Sequence, residues 1–230
     1  MIGVQVHTRH TPSFGVARLG LAPGEAVQVE SGAMLATSYG VGVQARPQGA
    51  LLTSLARAAL GAESELVYTY SAPARGGWVD VAPALPGDLH VIELNGAPGW
   101  CLQRGCWLAS AAGVELTRSW GGFRSLFGGQ VGFLLHASGV GQVVVSCYGA
   151  LDVLNVPAGE YLTVDSGHVV GYADVVQSRI RPLSQGMGQS IRSGEGLVFD
   201  FAGPGQVLTQ TRNPRNLVSW LQASGLAQRS

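Results

Sequence analysis

The chain states one pattern three times, and that repetition constrains its fold more than any other feature. Pro23-Gly24-Glu25 followed by Val27-Gln28-Val29-Glu30-Ser31-Gly32 returns as Pro157-Ala158-Gly159-Glu160 followed by Leu162-Thr163-Val164-Asp165-Ser166-Gly167. A weaker copy runs from Pro86-Gly87-Asp88 into Leu89 to Leu94. A second block repeats as well: Leu66 to Tyr70, Phe133 to Ala137 and Leu197 to Phe201 each lead through a Gly/Pro turn into a Val-rich strand. The pattern predicts three variants of one unit, at about 4–84, 85–152 and 153–225, forming a single domain because such units cannot bury their apolar faces alone.

Local signals give the units their class. Val27 to Glu30 and Val41 to Gln44 alternate apolar with polar or small residues, the two-residue period of a strand with one buried face. The 34 glycines and 11 prolines supply frequent turns. An all-β body is expected, of barrel or double-stranded β-helix type with pseudo-threefold symmetry. Two helices break the pattern. Leu51, Leu52, Leu55, Ala59 and Leu60 keep helical spacing between Gly49 and Gly61, predicting a short amphipathic helix near 50–60. Asn213 as cap and Pro214 as first residue start a second helix, near 214–224, whose Leu217, Trp220 and Leu221 would close the open end of the body.

Each unit carries an insertion between its blocks: Gly49 to Gly61, Gly121 to Gly129 and Gly186 to Ile191. Under pseudo-threefold symmetry their apolar side chains gather at one end. Leu51, Leu52, Leu55, Phe123, Leu126, Phe127, Met187 and Ile191 are therefore the candidate interaction surface, for another subunit, a protein partner or a membrane surface, with burial as core the alternative.

Composition narrows the function classes. Basic and acidic residues balance at 14 each and charged residues are only 12% of the chain, so no global field attracts nucleic acid and no nucleic-acid partner is expected. A surface so poor in charge points to homo-oligomerisation. Every basic residue is arginine, which excludes Schiff-base catalysis and a Walker lysine. Cys101, Cys106 and Cys147 are odd in number and lack a paired C-x-x-C arrangement, so buried reduced thiols are expected, Cys101 and Cys106 lying in a hairpin-like stretch. No secretory leader opens the chain and no apolar run of about 18 residues occurs, which predicts a cytoplasmic protein, at most peripheral to a membrane.

The search for chemistry yields no catalytic residue, cofactor or metal site. His7, His10, His90, His136 and His168 are scattered, and His90 and Glu93 fall on opposite faces of a strand. Asp165-Ser166-Gly167-His168 brings the three triad residue types together, but adjacency is not triad geometry. Its counterpart Glu30-Ser31-Gly32-Ala33 lacks the histidine, so both read as turns with glycine at positive φ. Pro-Gly-Glu reads as a type II turn followed by a solvated acid.

An ordered set of motifs carries a resemblance. Leu21 to Glu25, Glu30 to Met34, Leu85 to Asp88, Gln103-Arg104-Gly105, Ser146 to Ala150, Asp165 to Val170 and Gln210 to Pro214 together resemble the prokaryotic family related to the mitochondrial inner-membrane protein named for altered inheritance of mitochondria. The resemblance implies a fold similar to that of the tryptophan RNA-binding attenuator protein. It also implies a role without established enzymology, the mitochondrial relative being linked to the organisation of inner-membrane folds. Gln185, Gly188 and Gln189 depart from the family pattern by diluting the third insertion. The leading expectation is a non-enzymatic, self-associating interaction or scaffold protein. A small-ligand-binding barrel lined by Trp78, Trp100 and Trp107 is the alternative, and a cupin-like metal enzyme ranks third.

Overall fold

The computed structural model describes residues 3–47, 66–119, 134–183 and 196–226. The first third of the chain forms β1 (Gln5–Arg9), β2 (Val16–Leu21), β3 (Ala26–Glu30), β4 (Met34–Thr37), β5 (Gly42–Pro47), β6 (Leu66–Ser71) and β7 (Gly77–Val81). The middle third has β8 (Leu89–Gln103), β9 (Trp107–Ala111), β10 (Val114–Ser119) and β11 (Leu134–Ser146). The last third has β12 (Leu151–Val156), β13 (Tyr161–Asp165), a 3-10 turn (Ser166–His168), β14 (Val169–Ala173), β15 (Gln177–Pro182), β16 (Leu197–Ala202), β17 (Gly205–Gln210) and helix α1 (Pro214–Ala223). The fold is all-β with a C-terminal helix, as expected. The helix expected near 50–60 lies outside the described residues, as do Leu51, Leu52, Leu55, Phe123, Leu126, Phe127, Met187 and Ile191.

Strand pairing follows one scheme three times. β2 pairs with β7, the N-terminal half of β8 with the C-terminal half of β11, and β12 with β17. β3 pairs with β6, the C-terminal half of β8 with the N-terminal half of β11, and β13 with β16. β4, β9 and β14 then add to β7, β11 and β17. Likewise β5, β10 and β15 add to β6, β11 and β16. The three insertions join the paired strand ends Pro47 and Leu66, Ser119 and Leu134, and Pro182 and Leu197.

Two cross-pairings weld the thirds together: β9 with β3 and β14 with β8. The result is a ten-stranded sheet ordered β12-β17-β14-β8-β11-β9-β3-β6-β5, with β10 on β11. It is flanked by a four-stranded sheet, β1-β2-β7-β4, and a three-stranded sheet, β13-β16-β15. The expected barrel does not form: among the described residues no sheet closes on itself. Closure by the same scheme would need β4 to pair with β13, and both are edge strands, each hydrogen-bonded to one neighbour only.

Three apolar clusters form the core, each centred on one third and each sharing strands with the next. Leu108 and Ala109 of β9 pack with Val27 and Val79, whereas Trp107 of the same strand packs with Leu102 and Val145. Leu134 of β11 packs with Phe199 and Phe201, whose rings stack at 5.5 Å between centroids. Alternation along β2 and β3 sends every second residue into this core. The interior is thus filled by side chains, and Trp100 and Trp107 are part of the filling. Trp78 lies under the Arg18 guanidinium, 3.9 Å from the ring centroid. Among the described residues, the tryptophan-lined pocket expected of a ligand-binding barrel is therefore not built.

Candidate functional site

Three turns meet at one end of the body. After β3, Ala33 N–H donates to Glu30 C=O at 3.2 Å with Gly32 at φ 81°. After β8, Cys106 N–H donates to Gln103 C=O at 3.0 Å with Gly105 at φ 80°. After β13 the expected positive-φ glycine is absent. Asp165 instead caps the 3-10 turn, its Oδ1 accepting from Gly167 N–H at 2.8 Å, and Gly167 serves a different need. A Cβ there would lie 2.0 Å from the Asn213 amide, so any larger residue would push Asn213 off its capping position. The stretch from Cys101 to Cys106 is likewise not a hairpin, because β8 and β9 pair with β11 and not with each other.

The chain segments that follow β7, β11 and β17 arrive at the same place. Between them and the turns lies a cleft of about 490 Å³, lined by Glu30, Arg104, Cys106, Cys147, Tyr148 and Arg215 among others. Glutamines tie its walls. Buried Gln210 accepts from Tyr148 N–H at 2.8 Å through Oε1 and donates to Gly167 C=O at 3.0 Å. The backbone carbonyl of Gln210 meets His168 Nδ1 at 2.7 Å. Gln103, its amide turned so that nitrogen faces the acceptors, donates to Ser166 C=O at 3.0 Å and Val169 C=O at 2.6 Å. Asn213 caps α1 by accepting from Arg215 N–H at 2.9 Å. A second groove shares Tyr148 and Asn213 and runs along the helix past His168, Leu217 and Trp220. The helix does not close the body as expected: none of its residues is buried, and Trp220 is 59% exposed.

All three cysteines are free. Burial pushes the Cys106 thiol up to about 12 and the Cys147 thiol up to about 11, the Asp88 carboxylate adding to the latter, so both stay protonated and poorly nucleophilic. The triad look-alike resolves into structure: Asp165 holds a backbone N–H, and His168 holds a backbone carbonyl.

A separate polar cluster sits between the ten-stranded sheet and β15 of the three-stranded sheet. Asp174 receives His136 Nε2 at 2.8 Å and the Cys101 thiol at 3.5 Å, and Ser178 Oγ donates to Tyr172 Oη at 3.0 Å. Burial, with Asp174 adding, raises Cys101 to about 11. No group of three or more His, Cys, Asp and Glu among the described residues has the arrangement to hold a metal ion. His90 and Glu93 stand apart, Glu93 accepting from Gln142 Nε2.

The cleft was not among the expected sites, yet most of its residues belong to the quoted motifs: Glu30, Leu85, Gln103-Arg104-Gly105, Ser146-Cys147-Tyr148, Gly167, Gln210 and Asn213-Pro214, with Cys106 and Arg215 just beyond them. Separately each reads as a turn, and only the fold brings them together. The family described as mitochondrial biogenesis AIM24 matches residues 6–212. The chain belongs to the AIM24 family. An uncharacterized protein of Streptococcus pyogenes serotype M6 is 28% identical over 209 residues, covering 87% of this chain and 82% of the relative. The crystal structure of another Streptococcus pyogenes protein superposes with a TM-score of 0.78 at 22% identity, covering 96% of this chain and 99% of that one. This likeness supports the fold. Among the described residues, no helix is long and apolar enough to cross a membrane.

Proposed function

We propose that this AIM24-family chain is a non-enzymatic interaction protein that assembles with copies of itself, built from three versions of one six-stranded unit. The open junction carries this reading. Two junctions between thirds are made by strand pairing, β9 on β3 and β14 on β8, while the counterpart strands β4 and β13 are left as edges. Those edges carry exposed apolar side chains, Met34 and Leu35 on β4 and Tyr161 on β13, the last 81% exposed. A free edge is a template for strand addition. A second copy offers the matching edge, since its β13 can meet β4 as β3 meets β9. A net charge of zero puts no long-range repulsion between copies.

Light scattering coupled to size exclusion tests the reading between about 1 and 100 µM. The wild type is expected to elute as a dimer or larger, and L35K with Y161K as a monomer of unchanged circular dichroism. A monomeric wild type throughout that range overturns it. Sedimentation with vesicles in place of self-assembly would make a lipid surface the occupant of these edges.

A further inference from the structure

The cleft at the meeting of the three turns is a built cavity that self-association through β4 and β13 does not use. Its volume, about 490 Å³, falls within the usual range for small-molecule sites. Gln103 and Gln210 fix its walls by hydrogen bonds that cross between the middle and last thirds. Its floor is apolar where the protonated Cys106 and Cys147 lie, beside Leu85.

The charge at its mouth is uneven. At the second position of the three turns the chain places Ser31, Arg104 and Ser166, so only the middle turn contributes a cation. Arg215 brings a second guanidinium from the start of α1. Among the described residues Glu30 is the single acid of the lining, which leaves one net positive charge in a chain whose total is zero. The backbone at the helix start is already occupied, Arg215 N–H being held by Asn213 Oδ1, so recognition falls to side chains. Glu30, Arg104 and Arg215 are each engaged within the protein. A guanidinium has five N–H donors in a planar fork, so engagement within the protein and contact with a ligand are compatible.

We propose that this cleft binds a phosphate group, with Arg104 and Arg215 as its two cationic contacts and the thiol-floored pocket taking whatever small organic body the phosphate carries. Two separate guanidinia match a dianion, and paired N–H donors on phosphate oxygens are among the strongest polar contacts a protein makes. A soluble phosphate monoester and a phosphatidic acid headgroup present the same chemistry.

The test uses the full chain. Inorganic phosphate is titrated by calorimetry and thermal melting against sodium chloride of equal ionic strength. Vesicles of phosphatidylcholine with and without phosphatidic acid form a second arm. Saturable binding of phosphate that raises the melting temperature is expected. R104Q and R215Q should each weaken it about tenfold, the scale of one lost charge-assisted contact. Both residues are exposed, so losing their internal contacts should shift the ligand-free melting temperature only slightly, and the ligand-induced rise is read against each variant's own ligand-free value, which separates lost binding from lost folding. Binding confined to phosphatidic acid vesicles, and lost in R104Q, supports the proposal with a lipid as the source. No phosphate response in either arm, or a response equal in the double variant or in chloride, overturns it.

Discussion

Replacing Asp80 by Asn gives a direct measure of how firmly the four-stranded sheet is held. Asp80 lies on β7 opposite Arg18 of β2 and is 2% exposed. Its carboxylate accepts from Arg18 Nε at 2.8 Å and Nη2 at 2.9 Å, and from Arg9 Nη2 at 2.8 Å. The Arg18 hydrogen bonds, helped by Arg9, hold the carboxyl at about 2 against an ordinary 3.8, even though burial pushes the other way. A shift of that size corresponds to about 2 kcal/mol of stability at neutral pH. Water reaches both arginine side chains, 38% and 43% exposed, and screening trims the charge contribution towards about 1 kcal/mol. Asn, however, turns an NH₂ donor towards guanidinium donors, which adds back part of the cost that screening removed. D80N should therefore cost about 2 kcal/mol at pH 7, or roughly 4–8 °C in melting temperature for a chain of this size. The folded-state value is depressed, so this stability is fully present above pH 3.8 and is lost as pH falls through about 2. Urea unfolding followed by tryptophan fluorescence at pH 7, 4 and 2.5 should show the gap between wild type and D80N constant from 7 to near 4, then narrowing. A gap that is absent at pH 7, or that keeps its size at pH 2.5, would refute the ion-pair account.

G87A should destabilise the place where the two ends of the middle third meet by about 3 kcal/mol, because the new Cβ would lie 1.9 Å from the backbone oxygen of Cys147; urea midpoints test this. L102A removes a side chain with no exposure from the central cluster and should cost about 2–5 kcal/mol, read in the same way. Cys106 and Cys147 should resist Ellman's reagent at pH 8 in the native protein and react at once in urea. Their thiols sit at about 12 and about 11 against an ordinary 9, so the stability this protonation brings is complete below pH 9 and fades as pH climbs towards those values. N213A should fray α1 at a cost of about 1 kcal/mol in helix stability, seen as earlier loss of ellipticity at 222 nm.

The turns were legible in the chain because their chemistry is local. Glu25 N–H donates to Ala22 C=O at 3.0 Å and Glu160 N–H to Pro157 C=O at 3.1 Å, with Gly24 at φ 72° and Gly159 at φ 82°, as a type II turn requires. Even there the side chain was misread: Glu25 is not simply solvated but folds back to accept Ala22 N–H at 2.8 Å. Pro86-Gly87-Asp88 resembles the other two corners, yet Gly87 has no positive φ and is there for its close approach to Cys147. That need arises from a neighbour about sixty residues away, which no local pattern encodes. The cleft was hidden for the same reason. Glu30, Arg104, Tyr148 and Arg215 become neighbours only after long-range strand pairing, and each alone is an ordinary surface or turn residue. Barrel closure failed as an expectation because a repeating pattern specifies the pairings within and between consecutive units but says nothing about whether the last meets the first.

The middle third differs from its neighbours in one respect with practical weight. Where the first and last thirds turn a corner, between β2 and β3 or between β12 and β13, the middle third continues unbroken as β8 and β11, 15 and 13 residues long and paired along nearly their whole length with one irregularity at Ala137 to Gly139. Those two strands act as a spine: the last third attaches to β8 directly, and the first third attaches through β9, which lies on β11. New chain ends made by circular permutation should be tolerated at surface corners such as Gly24 or Gly159, where an added Cβ would meet nothing within 4 Å, whereas a cut within β8 would split the molecule along its spine. Excising the middle third should leave two fragments with no strand in common, and an engineer wishing to shorten or extend this fold should add or remove outer units while keeping that ribbon whole.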